Sequence, residues 1–220
     1  MKYNKYTSNL YSKFIMKLCN DFEKGYKVFD CGCGDGFHTS VIKKYSNNVI
    51  GGDFINRTKK EYAINFRKIS INKYGKESEF DAVTSFDVIE HVADDVGYLK
   101  ELIKITKPGG TIIIGTPNRN RLSNKIISLI QEEIIYPRNL GYDWGSGGDI
   151  IHLREYTIDD LFILSKKFKN IEKIDVKACF LGLYTPYGEM GFKGFDMRFF
   201  RPYCQHLFLV LKKRENNANQ

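Results

Sequence analysis

Val28-Phe29-Asp30-Cys31-Gly32-Cys33-Gly34-Asp35-Gly36 is the stretch that decides the fold. A short run of apolar and β-forming residues meets three glycines at alternate positions, the pattern of a strand running into a tight turn. Without Cβ atoms the turn can be sharp, and a ligand can approach its backbone closely. The spacing is G-x-G-x-G, not the G-x-G-x-x-G of dinucleotide sites. Thr39 to Tyr45 looks helical, so unsatisfied N–H groups at a helix start would point into the loop. Asp53 lies 17 positions after Gly36, at the end of a second short apolar run, Asn48 to Gly51. Ligands of open α/β sheets bind outside the carboxyl ends of the strands. An acid there can accept hydrogen bonds from both hydroxyls of a ribose.

Outward from this motif, strands alternate with helices. Residues 5–20 carry apolar groups at helical spacing, and 56–64 reads as a helix. Phe66 to Ile71 and Phe80 to Phe86 read as strands, and Asp94 to Thr106 as an amphipathic helix. Pro108-Gly109-Gly110 stops that helix, and Thr111 to Gly115 is a near-continuous apolar strand of the kind buried in a parallel sheet. Thr157 to Phe168 reads as a helix capped by Thr157, with Asp159 and Asp160 in its first turn. Ile171 to Cys179 and His206 to Lys212 read as the last strands. The expected fold is α/β, a mostly parallel, doubly wound sheet with helices on both faces, built as one domain over residues 1–220.

Further along the chain, Phe80-Asp81-Ala82-Val83-Thr84-Ser85-Phe86-Asp87-Val88-Ile89-Glu90-His91-Val92 and Lys107-Pro108-Gly109-Gly110 through Gly115-Thr116-Pro117-Asn118 complete an ordered set of motifs. With the glycine loop, they resemble the motifs of class I S-adenosylmethionine-dependent methyltransferases, in particular the ubiquinone-biosynthesis-like O-methyltransferase subgroup, over roughly residues 26–170. The resemblance implies a Rossmann-like sheet of seven strands. It implies S-adenosylmethionine as cofactor and S-adenosylhomocysteine as product. Gly32, Gly34 and Gly36 would pass under the methionine part, and Asp30 would orient the loop and the cofactor's amino group. Asp53 would hold the ribose, Phe54 would lie against adenine, and Ser85 would contact the methionine moiety through its backbone. Where the family has an aspartate that accepts from the adenine amino group, this chain offers Ser70 followed by Ile71.

Composition bounds the class. Hydrophobic content of 42% and charged content of 27% suit a globular chain. No apolar run approaches the roughly 20 residues of a membrane helix, and no secretory signal is visible. The five cysteines are odd in number and form no CxxC pair, which argues against a disulfide framework or a zinc site and for a reducing cytoplasm. The net charge of +8 raises a polyanionic partner, but the basic residues are scattered apart from Arg119/Arg121 and Lys212-Lys213-Arg214.

Methyl transfer to a hydroxyl gains from a base, and histidine is suited to that near neutral pH. Of the four histidines, His38 and His206 read as structural, while His91 and His152 are the candidate catalytic residues. Asp87, Glu90 and His91 stand at i, i+3 and i+4, and with His152 they resemble the two-carboxylate, two-histidine metal set of small-RNA 2′-O-methyltransferases. Asp87 replaces the glutamate of that set, so the expectation is that no metal is required. Residues 117–150, with Tyr136, Tyr142 and Trp144, and residues 180–203, with Phe180, Tyr184, Tyr187, Phe192, Phe195, Phe199, Phe200 and Tyr203, read as a lid over an aromatic acceptor pocket. The leading function is O-methylation of a small molecule: a quinone precursor, a sugar or a secondary metabolite. RNA 2′-O-methylation with a divalent metal and a non-catalytic cofactor-binding protein stand as alternatives, and oligomeric state is open.

Overall fold

The computed structural model describes residues 7–70, 73–130, 134–143, 148–185, 188–192 and 198–216. Its strands are β1 (Lys27–Cys31), β2 (Asn48–Asp53), β3 (Asn65–Lys68), β4 (Phe80–Phe86), β5 (Thr106–Pro117), β6 (Arg138–Asp143), β7 (Gly148–His152), β8 (Ile171–Cys179), β9 (Leu181–Thr185), β10 (Gly188–Phe192) and β11 (His206–Lys213). Seven of them form one sheet in the order β3-β2-β1-β4-β5-β11-β8. All neighbours pair in parallel except β11, which runs antiparallel to both β5 and β8.

Side chains alternate across a strand, so each apolar strand feeds two cores. On one face Phe29, Ile112, Ile114, Leu207 and Leu209 pack against helices α3 (Asp95–Ile105) and α5 (Ile158–Lys166), through Leu99, Leu102, Leu161 and Leu164. On the other face Val28, Ile113 and Phe208 meet α1 (Thr7–Leu18) and α2 (Phe37–Ile42), through Phe14, Ile15 and Ile42. Burying each such side chain contributes about 1.5–3 kcal/mol. This is why the continuous apolar runs of the sequence form a sheet covered on both sides.

Local signals set the helix ends. Asp94 caps α3 by accepting from Gly97 N at 2.8 Å. Thr157 and Asp160 form a reciprocal capping box at the start of α5, with bonds of 3.1 and 2.8 Å. The far end of α3 is closed by Lys213 Nζ, which donates to the Ile103 and Thr106 carbonyls.

Two expectations are corrected. Residues 56–64 form only a 3-10 turn, Lys60–Tyr62, not a helix. Asn56 Oδ1 takes both the N–H and the hydroxyl of Thr58, a local side-chain turn that competes with helix formation, and Ala63 is left-handed at φ 47. Phe180 is not a pocket residue: it is 2% exposed and packs in the core with α1. The irregular stretch after β5 contains a further helix, α4 (Leu122–Ile130), and the β6–β7 hairpin, while β9 and β10 form a second hairpin after β8. No described helix is long and apolar enough to cross a membrane.

The register fixes where these insertions emerge. His206, the first residue of β11, pairs with Pro117 at the end of β5 and with Cys179 at the end of β8. Both insertions therefore leave the sheet at its carboxyl edge, the edge that also carries the glycine loop and Asp53.

Candidate active site

The glycine loop is a backbone construction. Gly32, Gly34 and Gly36 have φ of 79, 54 and 88 degrees, the left-handed region that glycine enters without strain. The N–H groups of Gly32 and Cys33 both donate to Gly52 O, at 2.8 and 3.0 Å, which folds the loop over the end of β2. Gly34 N donates to Asp53 Oδ2 at 3.0 Å. Asp53 Oδ1 accepts from Phe54 N at 2.7 Å, so the carboxylate is oriented by two backbone donors. A Cβ on Gly32 would collide with Val88, and one on Gly36 would come within 2.6 Å of Ile64 Cγ1, whereas one on Gly34 would meet nothing within 4 Å. The middle glycine thus faces open space.

Asp30 sits beneath the loop, 2% exposed, and both its oxygens are taken: Oδ2 by the Thr39 hydroxyl at 2.6 Å and Oδ1 by the Thr84 hydroxyl at 2.8 Å. Burial raises its carboxyl to about 6, against the lowering effect of those two hydroxyls. Phe54 is 49% exposed beside Asp53, an aromatic face free to meet a flat base. Ser85 is fully buried, and its hydroxyl pairs with Tyr98 on α3 at 2.7 Å, which leaves only its backbone for a ligand. Ser70 is exposed, following the buried Ile69 whose N–H bonds Asp53 O; Ile71, like Trp144, Tyr187 and Phe195, lies outside the described residues. An open Gly34, an oriented acid at the strand end and an exposed ring next to it fit an adenosine cofactor carrying an amino-acid tail.

Beyond β4 the chain turns through Asp87, which holds φ 54, into the short 3-10 turn Ile89–His91. Val88, which packs against Gly32, places this turn beside the glycine loop. Tyr11 of α1 donates to Asp87 Oδ1 at 3.3 Å. Burial raises Asp87 to about 6, opposed by Tyr11 and by His152. Glu90 is fully buried; Thr116 donates to its Oε2 at 2.9 Å, and Oε1 has no hydrogen-bond partner. Burial pushes its carboxyl well above the usual range, and the charge of Asp87 adds to that.

His91 and His152 come together, with ring centroids 4.9 Å apart. His91 Nδ1 bonds the Ile151 carbonyl at 2.7 Å, and His152 Nδ1 bonds Glu155 Oε1 at 2.9 Å. Each imidazole thereby has its Nδ1 engaged, and His91 Nε2 lies 4.0 Å from Glu90 Oε1. Glu90, His91 and His152 each offer a ligand atom within 4.8 Å of the others, a set that can hold a divalent cation. Burial lowers the pKa of His91, with the nearby His152 adding to that and the Ile151 carbonyl opposing it. Asp87 is turned to Tyr11 and is not part of this group.

Arg119 and Arg121 do not offer a basic patch. Arg119 pairs with Asp160 at 3.2 Å, and Arg121 forms a two-pronged pair with Glu155, its side chain only 14% exposed. His38 and His206 sit in the aromatic cluster around Tyr11 and Phe208, and burial lowers them to about 4 and about 3. Sequence reasoning missed Thr39, Thr84, Thr116, Tyr11 and Glu155. Only Glu155 left a legible trace, three residues after His152.

Residues 3–161 match the model of a family described as methyltransferase domain, and the chain belongs to that family. It is 33% identical over 167 residues to a protein named ubiquinone biosynthesis O-methyltransferase in Cereibacter sphaeroides, covering 70% of this chain and 64% of that one. A protein of the same name in Bradyrhizobium diazoefficiens is 25% identical over 169 residues, covering 68% and 66%. The chain spans about two thirds or less of the length of these relatives. A crystal structure of a SAM-dependent methyltransferase from Archaeoglobus fulgidus superposes with a TM-score of 0.65 at 17% identity, covering 95% of this chain and 96% of that one, a likeness of fold.

Proposed function

We propose that the chain is an S-adenosylmethionine-dependent methyltransferase that methylates an oxygen of a small molecule, with His91 and His152 as the acid–base pair. The observation that carries this is the meeting of His91, His152 and Glu90, each with a ligand atom within 4.8 Å of the others, where Glu90 Oε1 takes no hydrogen bond. S-adenosylmethionine supplies a methyl group on a positively charged sulfur. The protein's part is position and electrostatics. The loop at Gly32, Gly34 and Gly36, with Asp53 and Phe54, would seat the adenosine and methionine parts, and Asp30 would hold the loop in shape. A neutral imidazole whose Nδ1–H is already committed presents a lone pair at Nε2, the state needed to take a proton from an acceptor hydroxyl. Residues 117–150 and 180–203 would close over the acceptor and keep water out. Between them lies an almost wholly apolar cleft of about 540 Å³, lined by Leu122, Leu181, Leu183, Met190, Phe200 and Tyr203 among others.

His152→Gln and His91→Gln should each abolish formation of S-adenosylhomocysteine in the presence of a panel of small phenols and catechols, while calorimetric affinity for S-adenosylhomocysteine stays unchanged. Full turnover in both variants overturns the base reading. A second reading, a divalent cation on Glu90, His91 and His152, is favoured by the buried, partnerless Glu90 Oε1. Nucleic acid as acceptor is disfavoured because Arg119 and Arg121 are committed to carboxylates of the chain itself.

A further inference from the structure

Glu155 is 2% exposed, a carboxylate with no access to bulk water and therefore in need of strong partners. It has them. Arg121 Nη2 donates to Oε1 at 3.0 Å and Arg121 Nη1 to Oε2, the parallel geometry in which guanidinium and carboxylate bind most specifically. Asn124 Nδ2 donates to Oε2 at 3.1 Å. Tyr136 stands near enough to help hold its charge, and His152 Nδ1 lies 2.9 Å from Oε1. Arg121 and Asn124 belong to the start of the insertion after β5, and Asn124 Nδ2 also bonds the Arg119 carbonyl. The carboxylate is thus clamped at both oxygens by groups other than the imidazole.

We infer that Glu155 is a positioning residue for His152: it fixes the imidazole as the Nδ1–H tautomer and aims Nε2 at Glu90 and His91. An ionised carboxylate only accepts hydrogen bonds, so the 2.9 Å bond requires the proton on Nδ1. The alternative tautomer would place two acceptors against each other inside a site closed to water. The bidentate pair with Arg121 keeps the carboxylate ionised and stops it from rotating away. A carboxylate that orients an imidazole in this manner is a recurring device in acid–base catalysis. The inference rests on the base reading of His152 for its catalytic meaning, but the tautomer itself does not.

The test is nitrogen NMR of the histidine rings in the full chain saturated with S-adenosylhomocysteine, with His152→Gln identifying the His152 signals. A single Nδ1–H tautomer is expected for His152 in the wild-type protein. An Nε2–H tautomer, or an exchanging mixture, overturns the inference. In Glu155→Gln, His152 should become a mixture of tautomers, and a single unchanged Nδ1–H tautomer there also overturns it. Should Glu155→Gln fail to fold, the wild-type spectrum decides alone. None of these outcomes depends on turnover. Loss of the base reading, shown by an active His152→Gln, is therefore distinguishable from loss of the positioning role.

Discussion

The backbone N–H of Gly34 donates to Asp53 Oδ2 at 3.0 Å, across 19 positions of sequence. The loop and the acid are therefore one construction: removing the carboxylate removes a support of the loop together with the proposed ribose acceptor. Asp53→Ala should weaken S-adenosylhomocysteine binding by about 1.5–3 kcal/mol, the range for hydrogen bonds to a charged group. Calorimetry on the folded variant checks this, and an unchanged affinity contradicts the assignment.

The three glycines should separate by what they face. Gly34→Ala meets only the left-handed backbone cost of about 1–2 kcal/mol, because nothing stands within 4 Å of the new methyl. Its methyl would project into the space proposed for the cofactor, so S-adenosylhomocysteine affinity should fall at least tenfold while the fold survives. Gly32→Ala meets the same backbone cost and also Val88, adding about 1–3 kcal/mol of overpacking. Thermal melts should rank Gly32→Ala below Gly34→Ala.

Asp30 makes a pH prediction. Its folded-state carboxyl is raised to about 6 from 3.8, chiefly by burial. The folded state therefore holds its proton more tightly than the unfolded chain. The resulting destabilisation is absent at pH below the unfolded value, grows as pH rises towards about 6, and is complete above it. Relative to Asp30→Asn, the wild-type protein should lose up to about 3 kcal/mol across that window. Parallel urea titrations of the two proteins between pH 4 and 7 measure it; a difference that is flat with pH contradicts the buried charge.

Under the metal-free reading, protein exhaustively dialysed against a chelator should keep its activity. Elemental analysis showing one bound cation per chain, lost in His152→Gln, would reassign Glu90, His91 and His152 as ligands.

The apolar cleft offers a test of the lid. Phe200 and Tyr203 line it, 38% and 44% exposed. Phe200→Ala should raise KM for the acceptor about tenfold or more and leave S-adenosylhomocysteine affinity unchanged, since none of the residues proposed to hold the cofactor lines the cleft. Equal losses in both would place the aromatic ring elsewhere in the mechanism.

What the sequence disclosed follows its physics. The glycine spacing, the apolar runs and the Thr157 cap are local signals, and each stands where expected. The pairing of Arg121 with Glu155 joins residues 34 positions apart and depends on how the insertion after β5 folds back. Net charge counts Arg121 as a surface cation because composition is blind to burial. The helix expected at 56–64 is lost to a side-chain contact, because the Asn56 amide oxygen captures the Thr58 N–H and hydroxyl in a turn.

The antiparallel β11 has a consequence for how such a protein can diversify. It brings the exit of β5, the exit of β8 and its own entry to one rim, through His206 opposite Pro117 and Cys179. Each insertion starts and ends on that rim, so its length can change without shifting any strand of the sheet. Doubling a loop costs only about 0.6 kcal/mol of closure entropy. The two insertions are thus exchangeable fittings on a fixed sheet. Under the proposed function, transplanting residues 118–151 or 180–205 between relatives should move acceptor preference and leave the glycine loop and Asp53 in place.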